Sequence, residues 1–138
     1  MKRSIWILIC SFLPISSVFA QRFPVHRDTV NVAQMQFEHS HFAFGDLVQG
    51  QRVSHEYEFK NTGKIPLVIS NVLVTCGCTV PEWPKKPILK GEKGMIRIFF
   101  NTAGKQGIQN KNITILANTK HGRETLVFNA NVMIPPKK

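Results

Sequence analysis

The feature that most constrains this chain is the alternation VSHEYEF at 53–59. Val53, His55, Tyr57 and Phe59 fall on one side; Ser54, Glu56 and Glu58 fall on the other. Successive side chains of a strand point to opposite faces, so the pattern predicts a half-buried antiparallel strand. His55 then fills a core-facing position, and the two glutamates belong to a solvated face.

The same period returns along the chain. MIRIFF (95–100) sets Ile96, Ile98 and Phe100 against Met95, Arg97 and Phe99. HFAFG (41–45) puts Phe42 and Phe44 on one face. NITILAN (112–118) and ETLVFNANVMI (124–134) read as strands, and VAQMQF (32–37), with imperfect alternation, as an edge strand. PLVISNVLV (66–74) is nearly all aliphatic: a strand covered on both sides, or one that bends at Ser70-Asn71. Between these runs lie turn residues. NTGK (61–64) reads as a tight reversal in which Gly63 takes positive φ. Lys90-Gly91-Glu92 reads as a turn and NTKHG (118–122) as a hairpin connection. Pro81, Pro84 and Pro87 make 79–94 irregular and exclude a central strand there. No segment has helical periodicity long enough to bury a face. About seven short antiparallel strands with such turns predict an all-β, immunoglobulin-like β-sandwich over 32–134, followed by a short tail at 135–138. Phe42, Phe44, Phe59, Phe99, Phe100 and Phe128 are expected in its core.

The N-terminus speaks to location. Met1-Lys2-Arg3 precedes an apolar run that ends in Val18-Phe19-Ala20, the layout of a secretory signal peptide over 1–20 with cleavage before Gln21. Pro14 and the serines interrupt the run too early for a bilayer span, which needs about 20 apolar residues. The expectation is export to the periplasm, the cell surface or the medium, with a mobile lead-in at 21–31 and no transmembrane segment after cleavage. Removing twenty residues from 138 leaves 118, and losing Lys2 and Arg3 lowers the net charge from +10 to +8. Outside the cytoplasm that charge points away from nucleic acid, toward a protein partner or an anionic surface ligand.

Signal removal also takes Cys10, leaving Cys76 and Cys78 with only each other in an oxidising compartment. TCGCTV (75–80) supports several readings. A disulfide across so short a loop stabilises by only about 1.5 kcal/mol in the chain-entropy model, so it would shape a turn rather than hold a fold. Gly77 would supply the backbone freedom such a ring needs. A strained pair is easier to reduce, which leaves thiol–disulfide chemistry open. Two thiolates can also grip a soft ion such as Cu(I), with His39 and His41 as the nearest further donors, although Zn²⁺ needs four ligands. An oxidised or simply structural pair is the leading expectation, with no cofactor.

Five motifs in order carry a resemblance. They are F-x-F-G at Phe42–Gly45, F-x-N-T-G at Phe59–Gly63, P-L-x-I at Pro66–Ile69, C-G-C-T at Cys76–Thr79 and G-E-x-G at Gly91–Gly94. The chain resembles the uncharacterised exported bacterial family with a Cys-Gly-Cys-Thr signature, related to hydin-type and major-sperm-protein-like immunoglobulin domains. It departs in having Lys90 where the family usually has a proline. The resemblance covers about 35–133 and implies a β-sandwich docking module without catalytic residues.

Nothing in the residues points to an enzyme. Carboxylates are sparse, and neither a phosphate loop, an H-E-x-x-H helix nor a nucleophile elbow is present. The remaining candidate is the proline-flanked loop of Trp83, Lys85 and Lys86, where an aromatic beside cations either anchors a partner or packs the loop onto the sandwich rim.

Overall fold

The computed structural model describes residues 31–136. The expected signal peptide (1–20), most of the lead-in (21–30) and the last two lysines lie outside the described residues. The elements are β1 (Met35–Phe37), β2 (His41–Val48), β3 (Arg52–Asn61), β4 (Ile69–Val74), β5 (Thr79–Glu82), β6 (Lys93–Asn101), β7 (Gly107–Ala117) and β8 (Arg123–Met133). They form two four-stranded sheets: β1-β3-β6-β5, called sheet I, and β2-β8-β7-β4, called sheet II.

The immunoglobulin-like β-sandwich is therefore the fold, with two refinements. One pairing is parallel, β2 with β8, because the chain leaves sheet I after Phe37 and enters sheet II alongside its last strand. The eighth strand is β5, inside the stretch read as irregular. Pro81 is tolerated there because β5 is an edge strand, paired only to β6.

The alternations do what their period predicts. Tyr57, Phe59, Ile96, Ile98 and Phe100 of sheet I bury against Ile113, Ile115, Leu126, Phe128 and Val132 of sheet II. The Phe100 and Phe128 rings meet at 5.1 Å between centroids. Tyr57 is fully buried, and its hydroxyl donates across the sandwich to the carbonyl of Val127 at 2.9 Å. Burial pushes that phenol well above its usual range. His55 faces inward and stacks on Phe42 at 3.5 Å between ring centroids. Phe99 does not join the core: it takes the outer face of β6 and is 38% exposed. Two adjacent residues of one strand cannot both face inward.

NTGK is not a tight reversal. β3 and β4 lie in different sheets, so 61–68 is a crossover between layers. Asn61, fully buried, organises it. Its amide nitrogen donates to the carbonyls of Ile65 and Ile88, each at 2.9 Å. Its side-chain oxygen accepts from the Gly63 N–H at 2.9 Å. Gly63 does not have positive φ; a Cβ there would fall 2.5 Å from the Val32 carbonyl oxygen and 2.6 Å from the Ala33 Cα. Close backbone approach, not left-handed conformation, is what the glycine serves. Gly91, at φ 84, does take the left-handed region in its turn.

The 66–74 strand bends rather than being covered on both sides. Its register against β7 shifts between Ile69 and Asn71, and Leu73 is exposed.

Candidate functional site

β4 leaves sheet II at Val74, and after four residues β5 begins in sheet I. TCGC is thus the hinge by which the chain changes sheets. The Thr79 N–H closes the turn onto the Cys76 carbonyl at 3.3 Å, and the Asn101 N–H holds the Cys78 carbonyl at 2.9 Å. Cys76 and Cys78 are joined by a disulfide with 5.3 Å between their Cα atoms. The buried Thr79 hydroxyl lies 3.9 Å from one sulfur and 4.0 Å from the other. Gly77 is not at positive φ, and a Cβ on it would meet open space. The turn therefore does not need glycine for conformation or room; the exposed Gly77 leaves the disulfide uncovered on the outside.

Next to this turn lies an open groove of about 430 Å³ lined by Arg52, Gly77, Cys78, Val80, Phe99 and Asn101. Farther along the same face is a second groove of about 240 Å³, lined by Glu82, Trp83, Pro84, Met95 and Arg97. The strand pairing explains the alignment. Val80 sits opposite Phe99 and Glu82 opposite Arg97 across β5 and β6. Arg97 is held from the other side by Glu56, its Nε donating at 2.7 Å. The outcome is an outward apolar stripe, with Val80 56%, Met95 40% and Phe99 38% exposed, interrupted by one ion pair. Polar side chains are the norm on the solvated face of such a sheet.

The Trp83 loop borders this stripe. Trp83 is half-buried against the core, and the Lys85 ammonium caps its ring 3.0 Å from the centroid. The indole Nε1–H is buried with no acceptor within the described residues. Lys86 is exposed beside it. The tryptophan is thus placed as a support of the rim, with the lysines outside.

His39 and His41 do not join the cysteines. His39 is exposed between β1 and β2, and His41 Nε2 lies 3.2 Å from the Asn129 side-chain nitrogen on sheet II. Among the described residues no group of three or more His, Cys, Asp or Glu side chains is placed to hold a metal ion. The Cys76, Cys78, His39, His41 set is not assembled, because sheet pairing directs the histidines elsewhere and the disulfide leaves no thiolate to offer. No described helix is long and apolar enough to cross a membrane.

Sequence reasoning missed Val80, Met95 and Phe99 as surface residues, and Arg52 altogether. The available signal was FF at 99–100 in an alternating strand, which requires one of the pair to face outward.

With this geometry in view, the class is an all-β, immunoglobulin-like β-sandwich of two four-stranded sheets. Residues 35–132, well over half of the chain, match the family described as protein of unknown function (DUF1573), and the chain belongs to that family. No curated protein matches the sequence significantly. Among solved structures, a protein of unknown function from Porphyromonas gingivalis W83 is 19% identical with TM-score 0.63, over 72% of this chain and 46% of that one. The PapD-like domain 7 of human CEP192, an ASH domain, is 13% identical with TM-score 0.55, over 91% of this chain and 100% of that one. The YadV chaperone is 13% identical with TM-score 0.53, over 71% of this chain and 51% of that one. The chain thus spans about half the length of the first and third of these.

Proposed function

We propose that this chain is an exported, non-enzymatic binding module that docks a protein partner on the outer face of β5 and β6, beside the Cys76–Cys78 turn. The observation that carries the proposal is the outward stripe of Val80, Met95 and Phe99 where pleat alternation calls for polar residues. Val80 and Phe99 are adjacent across β5 and β6, and exposed apolar surface rimmed by polar groups marks interaction sites. Arg52, Lys85 and Arg97 rim it, and the stiff disulfide turn and proline-flanked loop hold its two ends, which lowers the ordering cost of binding. Export rests on the signal-like N-terminus and fits a disulfide, which persists in oxidising compartments. A protein partner suits the stripe better than an anionic surface ligand, which would call for clustered cations.

The test is photocrosslinking in the producing cell from positions 80 and 99, compared with positions 110 and 129 on the opposite face. One discrete crosslinked partner from the first pair only is the expected result. Equal crosslinking from both faces, or none from 80 and 99, would sink the proposal.

A second reading draws on one observation, that Cys78 lines an open groove. A partner thiolate arriving there would attack the Cys78 sulfur, form a mixed disulfide and release Cys76 as a thiolate. Offered the partner in its disulfide form, a Cys76→Ser variant should trap a mixed disulfide, its Cys78 thiolate attacking one partner sulfur while the other leaves as a thiolate. Cys78→Ser should trap none. Absence of the mixed disulfide from the Cys76→Ser variant leaves the turn purely structural.

A further inference from the structure

Edge strands expose unpaired backbone groups, and most edges of this sandwich are guarded. On β5 the residues directed away from β6 are Thr79 and Pro81. The Thr79 N–H is spent on the Cys76 carbonyl, and Pro81 has none. On β4, the Val72 N–H is taken by the Asn71 side chain at 2.9 Å. On β2, the Val48 N–H is taken by the Gln51 side chain at 2.8 Å.

One edge is different. β1 pairs with β3 only over Phe59–Asn61, because the chain then crosses to sheet II. The Glu38 N–H makes a last bond to the Glu58 carbonyl, and among the described residues no strand pairs with Arg52–Tyr57 of β3 on that side. Antiparallel ladders alternate, and the bonds of Glu38 to Glu58 and Thr62 to Gln34 show that even-numbered residues of β3 point toward β1. The N–H and C=O groups of Arg52, Ser54 and Glu56 therefore face the open edge. All three residues are exposed.

We propose that this open half of β3 pairs with the same half of a second copy of the chain, antiparallel about a twofold axis at Ser54. In that register Ser54 meets the partner's Ser54, and Arg52 meets the partner's Glu56 in both directions. All are even-numbered, so each apposition is a hydrogen-bonded pair of the ladder. The side chains agree with the backbone. Arg52 makes no ion pair within the described residues. Glu56 uses only Oε1 for Arg97, so its second oxygen is available. Opposite charges directly across a ladder are stabilising, and like charges are not. Shifting the register by two residues toward the far end would set Arg52 against Glu58, whose edge Glu38 already occupies. Isologous pairing of this kind joins the two copies of sheet I into one continuous sheet. It uses the backbone edge of sheet I rather than its outer face. Arg52 also lines the docking groove, so a change at Ser54, which lies in neither groove, tests the pairing alone.

The experiment is sedimentation of the full chain as recovered from the producing cell, at about 0.15 M salt, where charges more than about 8 Å apart are screened. The wild type is expected to move from one-chain to two-chain mass as concentration rises toward about 1 mM, the affinity range of small interfaces. Ser54→Pro removes an outward N–H and holds φ at about −65°, which an open edge tolerates, and is expected to stay at one-chain mass while still folding cooperatively. Arg52→Glu and Glu56→Arg each place like charges opposite and stay single when alone. Mixed in equal amounts they restore both pairs, and two-chain mass returns. A wild type that stays single throughout, a Ser54→Pro protein that still dimerises, or a mixture that does not recover would each overturn the proposal.

Discussion

The outer faces of the two sheets differ more than their shared core would suggest. Sheet II presents amides to solvent. Asn110 and Asn129 are cross-strand partners, and Asn131 donates to Asp46 at 2.9 Å. That face is not uniformly polar, since Val48, Leu73, Ile108 and Met133 are also exposed on it. Sheet I carries ion pairs, Lys93 with Glu58 and Arg97 with Glu56, and beside them Val80, Met95 and Phe99. Both outer faces thus expose apolar side chains. What sets sheet I apart is that Val80 and Phe99 are cross-strand partners beside the turn where the chain changes sheets, and the proposed docking rests on that placement.

The comparison breaks most completely if sheet I loses its first strand. Gly63→Ala would drive a Cβ into the Val32–Ala33 backbone, which cannot give way as a side chain can. A loss of about 3 kcal/mol is expected, at the upper end for single substitutions. Urea unfolding checks it; a loss below about 1 kcal/mol would mean that β1 yields easily and is not a fixed part of the sheet.

The joint between the faces is tested next. Tyr57→Phe removes the hydroxyl that ties β3 to the Val127 carbonyl, which keeps its place in the β2–β8 ladder, at a cost of about 1 kcal/mol. Replacing both cysteines, Cys76→Ser with Cys78→Ser, is expected to cost about 1.5 kcal/mol or less, since the loop it closes is so short. A larger loss in thermal or chemical unfolding would make the hinge a staple of the fold rather than the shaper of one turn.

How much of this was legible in the sequence follows from what period two can and cannot say. It assigns faces within a strand, so Tyr57, Phe59, Ile96, Ile98 and Phe100 were readable as core. Periodicity does not say which strands lie at edges. Pro81 therefore read as a break when it is an edge strand's protection, and PLVISNVLV left its coverage open between two readings. Gly63 was legible as special, but its reason lies in the approach of residues 32–34, some thirty positions away. The cysteine pair was legible as a turn; that the turn exchanges sheets and borders an apolar stripe depends on pairings no local pattern contains. The open edge of β3 likewise depends on where β1 stops.

On the faces themselves, substitution should separate binding from stability. Val80→Ser with Phe99→Ser removes a partly buried cross-strand pair, so unfolding free energy should fall by about 1–2 kcal/mol with the fold retained. Asn110→Ser with Asn129→Ser should change it by about 0.5 kcal/mol or less. Only the first pair should abolish the crosslinked partner. If both pairs do so, the contrast between the sheets is not one of recognition.

The smallest effect concerns His55, the polar ring built into the inner face of sheet I. Desolvation by burial lowers its pKa below the usual 6.5, with the Glu56 charge opposing more weakly. The unfolded chain therefore takes up the proton first as pH falls. Stability contributed by the neutral ring is fully present above about pH 6.5 and declines as pH drops from there toward the lowered folded-state value. Because the ring is only half-buried and stacks on Phe42 at the open edge, the decline should be shallow. His55→Leu should flatten the stability profile between pH 7 and about 5 while wild type slopes downward, read by urea midpoints at each pH. Parallel profiles would show that the imidazole titrates alike in both states. The apolar rim of Phe42, Phe44 and Val53 along the open half of β3 would then be wetter than its packing indicates, and the inner lip of sheet I would resemble its outer face more than the buried middle does.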